Sequence, residues 1–272
     1  MGWKEFVPSV KADMRKAERE EKRRQKELAE KQQEQSRMEE LAQAQLEVEV
    51  YDNLIDRLIS VHKECAYPVD WKAMASVPEK PDAQQDAEAD NTDKIESRHI
   101  ADRILNGDVN AYLEAITELN PFKEIDDLGS TIEFTVHQPE HAEVTVKVHG
   151  EDIIPKQSKS LLNSGKLSTK ELPIKQYYQL HQDYVCSCVL RVASELFALL
   201  PLDRIIITAV DDIANAAGHI EEQPILSITI PRTTFDKLNL DNIDPSDSFS
   251  KFKHNMNFKK TKGFATVAKL AP

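Results

Sequence analysis

Apolar and polar residues alternate in three different ways along this chain, and each pattern predicts a different kind of structure. From Ser9 to Cys65 there is neither glycine nor proline, and Glu, Lys, Arg, Gln, Ala and Leu dominate. These strong helix formers predict one helix of roughly 55 residues, about 80 Å long. Its first half, Met14 to Arg37, has no apolar seam and depends on i,i+4 pairs such as Glu18–Lys22, Glu20–Arg24 and Glu27–Lys31. Each of these contributes only ~0.2–0.5 kcal/mol. The second half carries an apolar stripe at helical spacing: Met38, Leu41, Ala44, Val48, Tyr51, Ile55, Leu58 and His62, widened by Val50, Leu54 and Val61. A stripe of this kind requires a cover, so Met38, Leu41, Val48, Ile55 and Leu58 are the expected partner-binding residues. The cover is either the rest of the chain or a second copy.

Pro68 stops the long helix, and Asp70 is placed to cap a short one ending near Ser76. Pro78 to Asn91 is acidic, lacks any large apolar residue and predicts a linker. The expected organisation is an arm over residues 1–66, a short helix and acidic linker over 67–91, and a compact domain over 92–272. The domain opens with a helical pair: Asp93 and Glu96 have capping-box spacing, and Val109 to Leu119 share an apolar face before Pro121. Period-two alternation follows in Ile132, Phe134, Val136 and again in Val144, Val146, Val148, joined by a turn at Gln138 to Ala142. Pairing Val136 with Val144 sets Thr135 against Thr145, Glu133 against Lys147 and His137 against Glu143. A polar loop (Gln157 to Thr169) leads to a long helix ending at Leu200, with Ser168 and Glu171 at capping-box spacing. Two strands (Ile205 to Ala209 and the stretch QPILSITIP) and two short helical stretches complete the chain. The fold class is therefore α+β: a long, coiled-coil-like N-terminal helix, then a domain with a mostly antiparallel sheet and a long packing helix.

Composition narrows the function classes. The net charge of −12 gives a field that repels nucleic acid and acidic membranes on average, although a local basic patch overrides a mean. No run approaches the ~20 apolar residues of a membrane span. Three cysteines cannot form a fully paired framework, so a reducing cytoplasm is the expected compartment. Seven scattered glycines build no phosphate-binding loop.

Several residue groups could carry chemistry. Cys186 and Cys188 lie about 200° apart on a helix, which suits packing and not shared metal ligation. On the wet face of the predicted hairpin, Glu133, Glu143 and Lys147 could hold Mg or Mn and orient a water against a phosphodiester. The order of helix, strands, helix and strand resembles the restriction-endonuclease-like nuclease fold, which implies a metal-dependent nuclease. That family carries an acid followed by (D/E)-x-K, whereas EVTVKV separates Glu143 from Lys147 by four positions. His137 and His141, or His219, Glu221 and Glu222 beside Asp211 and Asp212, lack a spacing that identifies zinc. No metal is assigned. The C-terminal segment interleaves Lys253, Lys259, Lys260 and Lys262 with Phe252, Phe258 and Phe264, a composition that contacts phosphate and stacks bases or else keeps an edge strand apart from others. The basic cluster between Arg15 and Lys26 is mixed with Glu and reads as a solvated helix. The expected function is a non-enzymatic interaction protein without a cofactor, binding a protein partner or itself as a homo-oligomer through the arm, and no membrane. The alternative is a nucleic-acid-binding or nuclease-like domain using the hairpin face and the basic tail.

Overall fold

The computed structural model describes residues 3–64, 67–76, 88–214 and 218–271, with 3–13 and 88–96 described by backbone alone. The chain is mixed α+β: a long N-terminal helix precedes a sheet-rich domain with mostly antiparallel strands and a long helix. In chain order the elements are α1 (Trp3–Ser60), α2 (Trp71–Ala75), α3 (Glu88–Leu105), α4 (Val109–Leu119), α5 (Lys123–Asp127), β1 (Thr131–Gln138), β2 (His141–Lys147), α6 (Gly150–Ile153), β3 (Gln157–Leu161), β4 (Leu167–Glu171), α7 (Ile174–Leu199), β5 (Arg204–Ala214), β6 (Ile220–Pro231), α8 (Arg232–Phe235), α9 (Pro245–Ser248), β7 (Lys253–Lys259) and β8 (Gly263–Ala265). No helix among the described residues is long and apolar enough to cross a membrane. Most of the acidic stretch expected as a linker lies outside the described residues. α3 already begins at Glu88, five residues before the expected cap at Asp93, because Glu88 and Asp90 suit the positive end of a helix.

Two compact units are distinguished. The first joins α1 up to Asn53 with Gln157–Lys170. The polar loop expected over Gln157 to Thr169 is in fact a two-stranded hairpin, β3–β4, and Ser168 is a strand residue and not a helix cap. Gly165, in the turn, has φ +80°, and a Cβ there would run into the Leu41 side chain. The hairpin therefore lies close against α1, and Lys159 Nζ pairs with Glu47 Oε2 at 3.0 Å.

The second unit contains Leu54–Lys156 and Glu171–Pro272. Its sheet has the order β1-β2-β5-β6-β7-β8, antiparallel throughout except for β2 beside β5. Two neighbouring parallel strands need a crossover between them, and the segment between β2 and β5 contains α7. From Leu180 to Leu199 nearly every residue of α7 is buried, including Cys186 and Cys188, so it is a central helix and not an amphipathic cover. Ala142, Val144 and Val146 pair with Ile205, Ile207 and Ala209 to give one buried face of the sheet. The opposite face carries Glu133, Thr145, Thr208 and Ser227 in register. The C-terminal segment is tied to this face: Leu270 N donates to Ser227 Oγ at 3.0 Å and Asn255 Nδ2 donates to Ala268 O at 2.8 Å.

The hairpin register differs from the expected one by two residues. Phe134 lies opposite Val144, Glu133 opposite Thr145, Thr135 opposite Glu143 and Thr131 opposite Lys147. The strands turn tightly at Pro139–Glu140, between the paired Gln138 and His141, and the register shift between Val136 and Gln138 leaves His137 without a partner. The expected Glu133–Lys147, Thr135–Thr145 and His137–Glu143 pairs therefore do not form.

At the end of α7, where carbonyls lack helical partners, Arg232 supplies the missing donors. Its guanidinium donates to Leu202 O (2.6 Å), Phe197 O (2.9 Å) and Leu200 O (2.5 Å), and lies over the Phe197 ring at 4.6 Å.

Candidate functional site

The arm residues divide by environment. Leu58 is in the core of the second unit, with Ile55 packed against it. In the first unit Ala44 is buried, and Leu41 and Val48 are half-buried. Leu41, Ala44 and Glu47 line a cleft of about 530 Å³ together with Ser164, Gly165 and Leu167 of the hairpin. Met38 stays in solvent at 62% exposure. A second row, one residue per turn, is also exposed: Leu46 at 53%, Val50 at 60% and Leu54. It lies about 140° around the helix from the covered stripe.

The hairpin carboxylates and Lys147 do not converge as a trio. Glu133 is exposed on edge strand β1, and Glu143 is half-buried between Thr135 and Ile206. Lys147 instead points to the ends of β5 and β6, with Nζ 3.3 Å from Glu222 and 3.5 Å from Asp212. The hydrogen bond it donates to Glu222 and the two nearby negative charges hold its ammonium above the ordinary lysine range. Asp212 and Glu222 are themselves paired in register, which brings the loop acids weighed for zinc beside the hairpin lysine. One residue earlier, Asp211 is buried and its Oδ2 lies 3.2 Å from His181 Nε2, a close polar contact without an aligned hydrogen bond. Asp211 Oδ1 accepts from Gly150 N (3.3 Å) and Asp212 N (3.0 Å). Gly150 packs so closely on the His181 imidazole that a Cβ would overlap the ring, and Phe264 closes another side edge-on at 5.2 Å. This arrangement makes the dyad an enclosed tie between α7 and β5. No group of three or more His, Cys, Asp or Glu suited to a metal ion occurs among the described residues.

The basic tail forms the β7–β8 hairpin. Lys253, Lys259, Lys260 and Lys262 are exposed, the last three at the turn. The interleaved aromatics turn inward: Phe252 is buried, and Phe258 and Phe264 pack on each other at 5.1 Å. The lysines are therefore presented without stacking platforms.

Both cysteines of α7 are fully buried. Desolvation raises the Cys186 thiol well above its usual range and pushes Cys188 up to about 12, so neither supplies a thiolate at neutral pH. Cys65 lies outside the described residues.

Two polar arrangements in the second unit join positions far apart in the sequence, with Arg191–Glu195 their one i,i+4 pair. Buried Arg191 faces Glu195 at 2.7 Å, Glu124 at 3.0 Å and Glu64 at 3.8 Å, joining three distant segments. Burial raises the Glu195 carboxyl, while a hydrogen bond with Glu124, then burial, raises Glu64. Ser187 Oγ accepts from His62 N at 3.0 Å and bonds His62 Nδ1 at 2.8 Å. Both residues are sealed from solvent, so this Ser–His pair is a pin for the end of the arm and has no route to a substrate. Comparison of the chain with protein-family profiles, with curated proteins and with solved structures finds no match.

Proposed function

We propose that the protein is a non-enzymatic interaction protein that self-associates, or docks a protein partner, through its helical arm. The carrying observation is the exposed row Leu46, Val50 and Leu54 on a helix whose other stripe is already covered within the chain. The arm thus presents a second apolar face. Covering these half-exposed side chains contributes about 1 kcal/mol each. Two copies of the row give about 6 kcal/mol, at the lower end of the ~4–15 kcal/mol that association costs. The expected complex is weak, with a dissociation constant of about micromolar or above.

Sedimentation from about 1 µM to about 500 µM tests this. The mass is expected to rise with concentration, and Leu46→Glu with Val50→Glu is expected to hold the chain monomeric without loss of helicity. A monomer across the whole range, with the arm degraded by protease along its length, would overturn the proposal.

A second reading, nucleic-acid contact through the C-terminal hairpin, is supported by Lys259, Lys260 and Lys262 at an exposed turn. Its nuclease version needs Mg or Mn held by Glu133 and Glu143 beside Lys147, an arrangement the geometry does not favour because Lys147 is turned to Asp212 and Glu222. Incubation with DNA and RNA in either metal tests it, and cleavage unchanged by Glu143→Gln and Lys147→Ala removes that site.

A further inference from the structure

In sequence, residues 15–26 are a mixture of seven cations and three anions. On the helix they separate. α1 runs unbroken through this segment, and at 100° per residue Arg15, Lys16, Arg19, Lys22, Arg23 and Lys26 all fall within a sector about 120° wide. Between Met14 and Ala29 no other residue lies in that sector, and Glu18, Glu20, Glu21 and Glu27 all lie outside it. The six side chains are exposed; those of Lys22, Arg23 and Lys26 are between 73% and 79% accessible. The stripe spans about 16 Å of helix.

We infer that this basic face of the arm binds the phosphate backbone of a nucleic-acid duplex. Only a dense polyanion meets six cations along one face. Duplex DNA carries one charge per ~1.7 Å of axis, roughly ten across the length of the stripe. A membrane surface fits less well, because the side opposite the stripe sets Met14, Ala17 and Leu28 around Glu21 and Arg24 and offers no continuous apolar face to insert. Three stripe residues lean on i,i+4 glutamates, Lys22–Glu18 (2.8 Å), Arg23–Glu27 (3.2 Å) and Lys26–Glu30 (3.7 Å). Exposed pairs of this kind are worth ~0.3–0.5 kcal/mol and yield readily to phosphate. The net charge of −12 opposes nucleic acid on average over the chain, and a stripe that meets only phosphates reads no base sequence. The inference does not rest on self-association, since a single arm carries the whole stripe.

The test is a salt titration of the full chain on a fluorescent DNA duplex, with phosphatidylserine vesicles in parallel. Six phosphate contacts predict a slope of log K on log salt of about −5, and an affinity falling about a thousandfold between ~50 mM and ~200 mM salt. Arg19→Gln with Arg23→Gln is expected to flatten the slope by about 2. Arg24→Gln, which removes an equal charge per site on the opposite side of the helix, is expected to leave it unchanged. Absence of DNA binding at ~50 mM salt overturns the inference. So does equal sensitivity to Arg24→Gln, loss only on replacing Lys259 and Lys260, or binding to the vesicles and not to DNA. The Leu46→Glu, Val50→Glu chain is expected to keep DNA binding, so failure of either proposal is seen separately.

Discussion

The Ser187 hydroxyl illustrates how single residues fix this fold. It accepts the His62 backbone N–H and bonds the same residue's ring, so one side chain of α7 holds the chain where the arm ends. Burial keeps the His62 imidazole below its usual pKa and therefore neutral. Ser187→Ala removes the partner of two buried groups and is expected to cost about 1–3 kcal/mol in urea unfolding. Asp183, one turn earlier on α7, has the opposite response to pH. Burial, followed by the nearby Asp244, raises its carboxyl from 3.8 to about 6. Between those values the native state binds the proton more tightly than the unfolded chain, so stability falls as pH rises through this window and stays lower above it. Asp183→Asn is expected to raise the melting temperature at pH 8 and to leave it unchanged at pH 3.5; an equal gain at both pH values would remove this explanation. None of these contacts was legible in the sequence, because each joins positions far apart in the chain or depends on the extent of burial.

At the scale of elements the periodicities were legible and the pairings were not. Alternation over Ile132 to Val136 and Val144 to Val148 identifies β1 and β2 and which side of each is apolar. A register displaced by two residues keeps every side chain on its face, so the pattern alone cannot choose between neighbouring even registers. The tight turn and unpaired His137 make that choice, and they move Lys147 away from Glu133. The β3–β4 hairpin was illegible for a different reason: QSKSL and LSTKE alternate weakly, and the one usable cue was Gly165 between two leucine-bearing runs. At φ +80° and against Leu41, Gly165→Ala is expected to destabilise the hairpin by ~1–2 kcal/mol, read as faster amide exchange across 157–170. For α7 the sequence argument about the two thiols agrees with the structure, since both are buried. With Cys65 replaced, the native chain is expected to resist thiol reagents until it unfolds, and rapid labelling of Cys188 would reopen the case for chemistry there.

For the whole molecule, composition says little about where charge acts. A mean of −12 conceals a basic face at one end of α1 and an exposed lysine turn between β7 and β8. The basic face required no tertiary information: winding the sequence at 3.6 residues per turn separates the cations from the glutamates. The acidic and histidine-bearing groups at the ends of β2, β5 and β6 required the fold, because Lys147, Asp212 and Glu222 are brought together only by strand order. The Arg232 guanidinium, finally, has a consequence for the order of events as the chain is made. The carbonyls of Phe197, Leu200 and Leu202 are satisfied by a residue 30–35 positions later, beyond both β5 and β6. During synthesis at ~5–20 residues per second, the end of α7 therefore waits seconds for its cap. A ribosome stalled before Arg232 emerges is expected to hold α7 frayed at Phe197 to Leu200, and one stalled a few residues later to hold it closed, a difference that pulsed proteolysis of the nascent chain would register.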